Sequence, residues 1–154
     1  MIYFAIDPGP ERSAYVFWST TAERPLLKFG YDTNMDIVNR MIDFDCARVN
    51  AFIIERVQCN GMPVGREVHL TSEWVGWFSC AAWVNSISRY YYHRPDVVKH
   101  FCGARNAKKS AVNCVLQDRF GKKGTKKSPG ILYGVKDHIW DAVALVVMYM
   151  DLNP

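Results

Sequence analysis

Three carboxylates stand out in this sequence because each belongs to an apolar segment. Asp7 ends one apolar, strand-like run and Glu55 ends another. Asp141 lies near the start of a long apolar segment, three residues after His138 and four after Asp137. Both spacings place the side chains on one face of a helix. A buried carboxylate is costly unless it is solvated, paired or bound to a metal, so the three positions together suggest a metal site.

Each of these residues also has an ordinary structural explanation. Asp7 precedes a Pro-Gly pair and could cap the turn that follows. Glu55 could form a surface ion pair with Arg56, although the apolar residues before it argue against free exposure. Asp137 could be the N-cap of the last helix, and His138 could be a solvated residue of its first turn. The residues alone leave open whether Asp137 or His138 completes the site.

The first half of the chain predicts three strands, a helix and a fourth strand. The predicted strands cover residues 2–7, 13–18, 26–31 and 51–55. Thr33 and Asp36 have the spacing of a capping box, so a helix is expected to begin there. This order of elements indicates a mixed sheet whose first and fourth strands are neighbours. If those two strands are parallel, Asp7 and Glu55 emerge at the same edge.

The second half predicts mainly helices. They are expected at residues 71–86, 95–101, 108–120 and 137–151, with a short strand at 89–93, a polar connection at 57–70 and a mobile basic loop at 121–136. The helix at 71–86 is apolar nearly all round, which is typical of a helix that is deeply buried or covered by a partner. Its aromatic part, Trp74–Trp83, is a candidate dimer interface. The alternative is burial within one subunit.

The composition bounds the class of protein. With 154 residues and 49% hydrophobic residues, the chain is expected to form a single domain covering residues 1–154. The 5 cysteines lack the close spacing of a zinc knuckle and favour a reduced, cytoplasmic protein with mostly buried thiols. No apolar run reaches the ~18 residues of a membrane span. The chain opens on a strand pattern, so no signal peptide is expected.

Charge is distributed unevenly along the chain. Residues 99–136 contain ten Lys or Arg and one acid, a local charge of +9, whereas the remainder carries −5. A basic segment beside an acidic centre suits a polyanionic substrate cut with the help of metal ions. The alternative is that this segment is a solvated basic loop without a ligand.

Four segments of the chain occur together in an order found in one enzyme family. They are residues 5–9, 53–57, 95–112 and 137–142. The first reads Ala-Ile-Asp-Pro-Gly and the second Ile-Ile-Glu-Arg-Val, while the third includes Val98-Lys99 and Gly103 and the fourth contains an Asp-His pair followed by Asp-Ala. These segments resemble the RuvC family of Holliday junction resolvases, within the RNase H-like superfamily. The chain is shorter than typical bacterial members and differs at 57–70, so it most resembles a compact phage or viral member.

The resemblance implies an α/β, RNase H-like fold: a five-stranded mixed β-sheet, made of a three-stranded antiparallel meander plus two parallel strands, flanked by α-helices. It also implies a crossover junction endodeoxyribonuclease that hydrolyses phosphodiesters with two Mg²⁺ ions, for which Mn²⁺ is an expected substitute. Asp7 would bridge both ions, Glu55 and Asp141 would each hold one, Asp137 is a further candidate ligand, and His138 a further candidate catalytic residue. Without metal, repulsion should raise the pKa of at least one carboxyl group.

The resemblance further implies contacts to DNA. Lys109 would contact the scissile phosphate. Further candidate nucleic-acid contacts are Lys99, Lys108, Lys122, Lys123, Lys126 and Lys127. Paired symmetric cuts across a four-way junction, as in DNA recombination and repair, imply a homodimer. Two other functions stay open: an RNase H-type nuclease acting on RNA–DNA hybrids, and a non-catalytic nucleic-acid-binding module with the same fold.

Overall fold

A computed structural model describes residues 1–43, 48–58, 61 and 63–154. The elements, in chain order, are β1 (Ile2–Asp7), β2 (Arg12–Ser19), β3 (Leu26–Thr33), α1 (Asn34–Asp43), β4 (Val49–Arg56), α2 (Arg66–Val84), β5 (Ser88–His93), α3 (Arg94–Cys102), α4 (Lys109–Phe120) and α5 (Ile139–Leu152). No helix among these residues is long and apolar enough to cross a membrane.

The strands form one five-stranded sheet in the order β3-β2-β1-β4-β5. The first three strands are an antiparallel meander, and β4 and β5 run parallel to β1. This is the predicted α/β arrangement, including the parallel pairing of the first and fourth strands. Because Ile6 pairs with Ile54, the carboxyl ends of β1 and β4 finish at the same level.

Side-chain alternation along β1 and β4 divides the core into two layers. Tyr3 and Ala5 of β1 pack against α5 in one layer, whereas Phe4 and Ile6 pack with residues of α1 and α2 in the other. Helix α5 is buried on every side from Ile139 to Tyr149, which its almost continuous apolar sequence explains. The sheet is therefore covered by helices on both faces.

Local signals explain several helix boundaries. The Thr33 hydroxyl accepts the Asp36 backbone N–H at 3.2 Å, which is one of the two bonds of the predicted capping box, and it donates to the Asp36 carboxylate at 2.5 Å. Thr33 therefore caps α1. Gly103 ends α3 in the left-handed conformation, with a φ of 73° that glycine adopts without strain. Gly121 follows the last residue of α4, as predicted.

The structure corrects four expectations. Helix α2 begins at Arg66, five residues earlier than predicted, so the polar connection after β4 is shorter. Helix α5 begins at Ile139 rather than near Asp137. The expectation of a mobile loop at 121–136 fails for its second half, because Leu132 and Val135 are buried in the core. Among the three cysteines that the structure describes, two are exposed and one is partly buried, so the prediction of mostly buried thiols is wrong for them; Cys46 and Cys59 lie outside the described residues.

Candidate active site

The alternation of side chains along β1 and β4 places Asp7 and Glu55 on the sheet face that packs against α5. Asp7 continues the series of β1 side chains that face α5, and Glu55 continues the corresponding series on β4. Asp141 lies in the first turn of α5 and is buried, with 8% of its surface exposed. The three carboxylates thus converge from three elements on the carboxyl end of two parallel strands.

A buried hydrogen-bond network fixes the turn that follows Asp7. The Ser13 hydroxyl accepts the Gly9 backbone N–H at 3.1 Å and donates to the Asn34 side chain at 2.6 Å. Asn34 in turn donates to the Gly9 carbonyl at 2.9 Å. A Cβ on Gly9 would lie 2.3 Å from the carbonyl oxygen of Arg12, so the turn itself requires glycine. The network ties the end of β1 to the start of α1 and so holds Asp7 in place.

Three potential metal ligands lie together at this edge. One ligand atom from each of Asp7, His138 and Asp141 lies within 4.8 Å of the other two. His138 Nδ1 is 3.0 Å from Asp7 Oδ2 and 3.8 Å from Asp141 Oδ2. Asp137 is exposed and is not part of this group. His138 is the N-cap of α5 and has helical dihedral angles, so its predicted spacing to Asp141 is confirmed. Asp137 has a positive φ of 46° and lies outside the helix, so the helical spacing predicted for Asp137 is wrong.

Asp7, Glu55, His138 and Asp141 form a cluster in which burial disfavours the ionised form of the first two carboxyl groups. Burial, followed by the charge of Asp7, raises the pKa of Glu55 to about 8. Burial also raises the pKa of Asp7, although its hydrogen bond with His138 acts in the opposite direction. The same hydrogen bond raises the pKa of His138, against the effect of burial. Repulsion between the carboxylates was expected to raise the pKa of at least one of them. The pKa values of Asp7 and Glu55 are both raised, with burial as the larger cause.

Two cations hold Asp141. Arg94 Nη1 donates to Asp141 Oδ1 at 3.0 Å, and Lys109 Nζ donates to Asp141 Oδ2. Lys109 was predicted to lie beside the scissile phosphate, and the structure places it at the cluster. Arg94 was missed, although its sequence position carried a signal: it directly follows β5, which is parallel to β4 and ends at the same sheet edge as Glu55.

The other predicted lysines fall into two groups. Lys99 and Lys108 are exposed. The remaining four lie in the segment after α4: Lys122 and Lys123 precede a turn closed by a bridge between Gly124 and Pro129, and Lys126 and Lys127 lie within it. In that segment Lys123 lies 5.0 Å from the centre of the Trp140 ring. Lys122, Lys126 and Lys127 are exposed. Lys123 therefore attaches the basic segment to α5, and the others face solvent.

Two clefts adjoin the cluster. One has a volume of about 290 Å³ and is lined by Asp7, Tyr31, His138 and Glu67, among others. The second has a volume of about 720 Å³ and extends from His138 past Arg12 and the edge strand β3. Both clefts are lined by Tyr31 of β3 and by His138, and the smaller one is also lined by Asp7.

Solved structures share this architecture over nearly the whole chain. Thermus thermophilus RuvC matches with a TM-score of 0.74 at 18% sequence identity, covering 99% of this chain and 96% of RuvC. The same RuvC in complex with a Holliday junction substrate matches with a TM-score of 0.74 at 20% identity, covering 97% of this chain and 93% of that one. This chain has the RuvC fold. It is a fold of the RNase H-like type, as the sequence predicted.

A viral structure matches less closely. The fowlpox virus Holliday junction resolvase gives a TM-score of 0.54 at 14% identity, with 99% of each chain covered. No protein-family model and no curated protein sequence matches the chain. The RuvC fold is therefore established by three-dimensional similarity, and not by a match to a family model or a curated sequence.

Proposed function

We propose that this protein is a divalent-metal-dependent, structure-selective endonuclease that resolves Holliday junctions and other branched DNA. One observation carries the proposal: Asp7, Glu55 and Asp141, from three elements of a RuvC fold, meet at one sheet edge. The solved structures that share this fold include RuvC in complex with a Holliday junction and a viral Holliday junction resolvase. Their substrate is the best supported substrate for this chain.

The donor set fits divalent cations. Carboxylate oxygens are the ligands that Mg²⁺ prefers, and Mn²⁺ accepts the same oxygens. Asp7, Glu55 and Asp141 would hold two Mg²⁺ ions, with Mn²⁺ as a substitute; His138 is closer to the cluster than Asp137 and is the better fourth residue. Divalent ions held by these residues would supply acidification of a water molecule and neutralisation of phosphate charge.

The side chains around the cluster have defined roles in this proposal. His138, hydrogen-bonded through Nδ1 to Asp7, can hold a proton at its other ring nitrogen. Lys109 and Arg94 pair with Asp141 in the metal-free site and would turn to the phosphate that is cut. Both side chains are about 40% exposed (37% for Lys109 and 44% for Arg94), so they can reach a ligand in the cleft.

Paired cuts require two sites, and we infer a homodimer. Trp77, Trp83 and Val84 of α2 are 58%, 65% and 65% exposed, so the alternative that this helix is wholly buried within one subunit is wrong. Large apolar side chains clustered on one exposed helix mark an interaction surface. Sedimentation of the wild type at dimer mass, and of Trp77→Glu with Trp83→Glu at monomer mass, would support this assignment; a monomeric wild type would refute it.

A comparison of substrates tests the proposal. Purified protein in Mg²⁺ is given a mobile four-way DNA junction, a matched linear duplex and an RNA–DNA hybrid, with Asp7→Asn as the control. We expect paired symmetric nicks in the junction alone, absent with Asp7→Asn. Cleavage of the hybrid alone would show an RNase H-type enzyme. Tight junction binding without cleavage in Mg²⁺ or Mn²⁺ would show a non-catalytic binding module.

A further inference from the structure

A tyrosine with no role in the proposed chemistry lies against His138. The rings of Tyr31 and His138 are nearly parallel, with an interplanar angle of 13° and centroids 5.8 Å apart. Tyr31 pairs with Ala14 across β2 and β3, so its side chain lies on the sheet face that carries α5. It reaches His138 from the edge strand, far from Asp137–Asp141 in sequence.

Arg12 supports the tyrosine from the neighbouring strand. Its guanidinium carbon lies 5.2 Å from the centre of the Tyr31 ring, within the range of a cation–π interaction. Its Nη2 also donates to the Tyr31 backbone carbonyl at 2.5 Å. Arg12 and His138 thus both lie against the Tyr31 ring. We call these three residues the Arg12–Tyr31–His138 stack. It joins the start of β2 to the catalytic cluster.

His138 needs such support because little else surrounds it. Its side chain is 59% exposed, and it precedes the first residue of α5. The torsion that sets the orientation of a histidine ring is broad and roughly two-fold. The hydrogen bond to Asp7 fixes one atom of the ring, and the stack restricts rotation about that atom. Together they hold Nδ1 toward Asp7 and leave the other nitrogen for the cleft.

We propose that Tyr31, supported by Arg12, is a positioning residue that fixes the orientation of the His138 imidazole. The inference rests on the proposed nuclease function, since the orientation of His138 affects rate only if His138 takes part in hydrolysis. Tyr31 acts through the imidazole and not on the phosphodiester. Its hydroxyl group is not needed for this role, because the stack uses the ring face.

Kinetics of three variants test the role in catalysis. Tyr31→Leu removes the aromatic face, Tyr31→Phe keeps it, and Tyr133→Leu makes the same change at another exposed tyrosine outside the clefts. With the junction as substrate, Tyr31→Leu should lower kcat about 10- to 100-fold with KM and junction affinity unchanged. Tyr31→Phe should restore most of the wild-type kcat. Equal losses in the Leu and Phe variants, or a kcat for Tyr31→Leu equal to that of Tyr133→Leu, would overturn the proposal.

Proton NMR of the histidine rings tests the geometry without any need for activity. His138 ring protons, assigned by comparison with His138→Gln, should show an upfield ring-current shift in the wild type and Tyr31→Phe that is absent in Tyr31→Leu. An unchanged shift in Tyr31→Leu would overturn the stack. If the wild type cuts no junction, the proposed function fails, and the NMR result alone decides whether Tyr31 orients His138.

Discussion

Replacing Glu55 by glutamine should stabilise the metal-free protein while abolishing cleavage. The pKa of Glu55 is raised from 4.5 to about 8, because burial and the charge of Asp7 disfavour its ionised form. When the pKa of a carboxyl group is higher in the folded than in the unfolded state, the free energy of unfolding falls as pH rises between those two pKa values. The difference of about 3.5 pH units corresponds to about 5 kcal/mol once the group is fully ionised, at about 1.4 kcal/mol per unit.

Relaxation and water penetration reduce such a penalty in real proteins, so we expect Glu55→Gln to gain about 1–3 kcal/mol at pH 9. For a chain of this length that is a rise in Tm of about 3–10 °C. At pH 5 the gain should be small, since Glu55 is then protonated in the folded state. Glu73→Gln is the matched control, because Glu73 is an exposed glutamate on α2.

The assay is thermal unfolding in EDTA at pH 5, 7 and 9, repeated with Mg²⁺. A ligand that binds only the folded state raises its stability, so Mg²⁺ should raise the Tm of the wild type and of Glu73→Gln but not that of Glu55→Gln. A Tm of Glu55→Gln in EDTA at pH 9 no higher than that of the wild type would refute the view that Glu55 is held at an energetic cost. An undiminished response of this variant to Mg²⁺ would refute its role as a ligand.

Three further results are expected. Mg²⁺ affinity, measured by calorimetry, should rise about tenfold per pH unit up to about pH 8 and then level off, because the partly buried Glu55 must lose its proton to bind metal. An affinity that is flat from pH 6 to 9 would contradict this. In single-turnover assays, Lys109→Gln should slow junction cleavage about 10- to 100-fold, whereas Lys108→Gln should leave it near wild type, because Lys109, unlike Lys108, forms an ion pair with Asp141. Equal rates for the two variants would remove Lys109 from the site. The double variant Lys126→Ala, Lys127→Ala should reduce the slope of log affinity against log salt concentration by about 0.9 for each DNA phosphate that these lysines neutralise in the wild type. An unchanged slope would show that DNA does not contact these two lysines.

The sequence pointed to the three central carboxylates because their positions follow from strong local patterns, whereas the fold type was expected from the resemblance to the RuvC family. Alternation along β1 and β4 is regular, and it sends Asp7 and Glu55 to one face at one edge. The apolar run of α5 then brings Asp141 to the same place. The structure confirms the neighbouring first and fourth strands predicted from the residues, and the parallel pairing and fold type implied by the resemblance. No family model matches the chain.

The surroundings of these carboxylates could not be predicted, since they depend on contacts between distant segments. Arg94 reaches Asp141 only because β5 ends beside β4, and Tyr31 reaches His138 only because β3 folds back along β2. The predicted start of α5 was two residues too early, because Asp137 adopts a positive φ of 46° and so lies outside the helix. An aspartate can adopt this conformation, but the sequence does not indicate when it does. Sequence patterns identified the carboxylates of the candidate site, whereas contacts between distant segments determine which charged and aromatic side chains surround them.

The most direct test of the account is strand-resolved cleavage of a four-way junction whose opposing strands carry different fluorophores. The wild type and Asp141→Asn are compared in Mg²⁺, Mn²⁺ and EDTA. The account predicts nicks at matching positions of both strands by the wild type in either metal, and none with EDTA or with Asp141→Asn. Cleavage that survives EDTA or the loss of Asp141, or a wild type that cuts no junction in either metal, would contradict it.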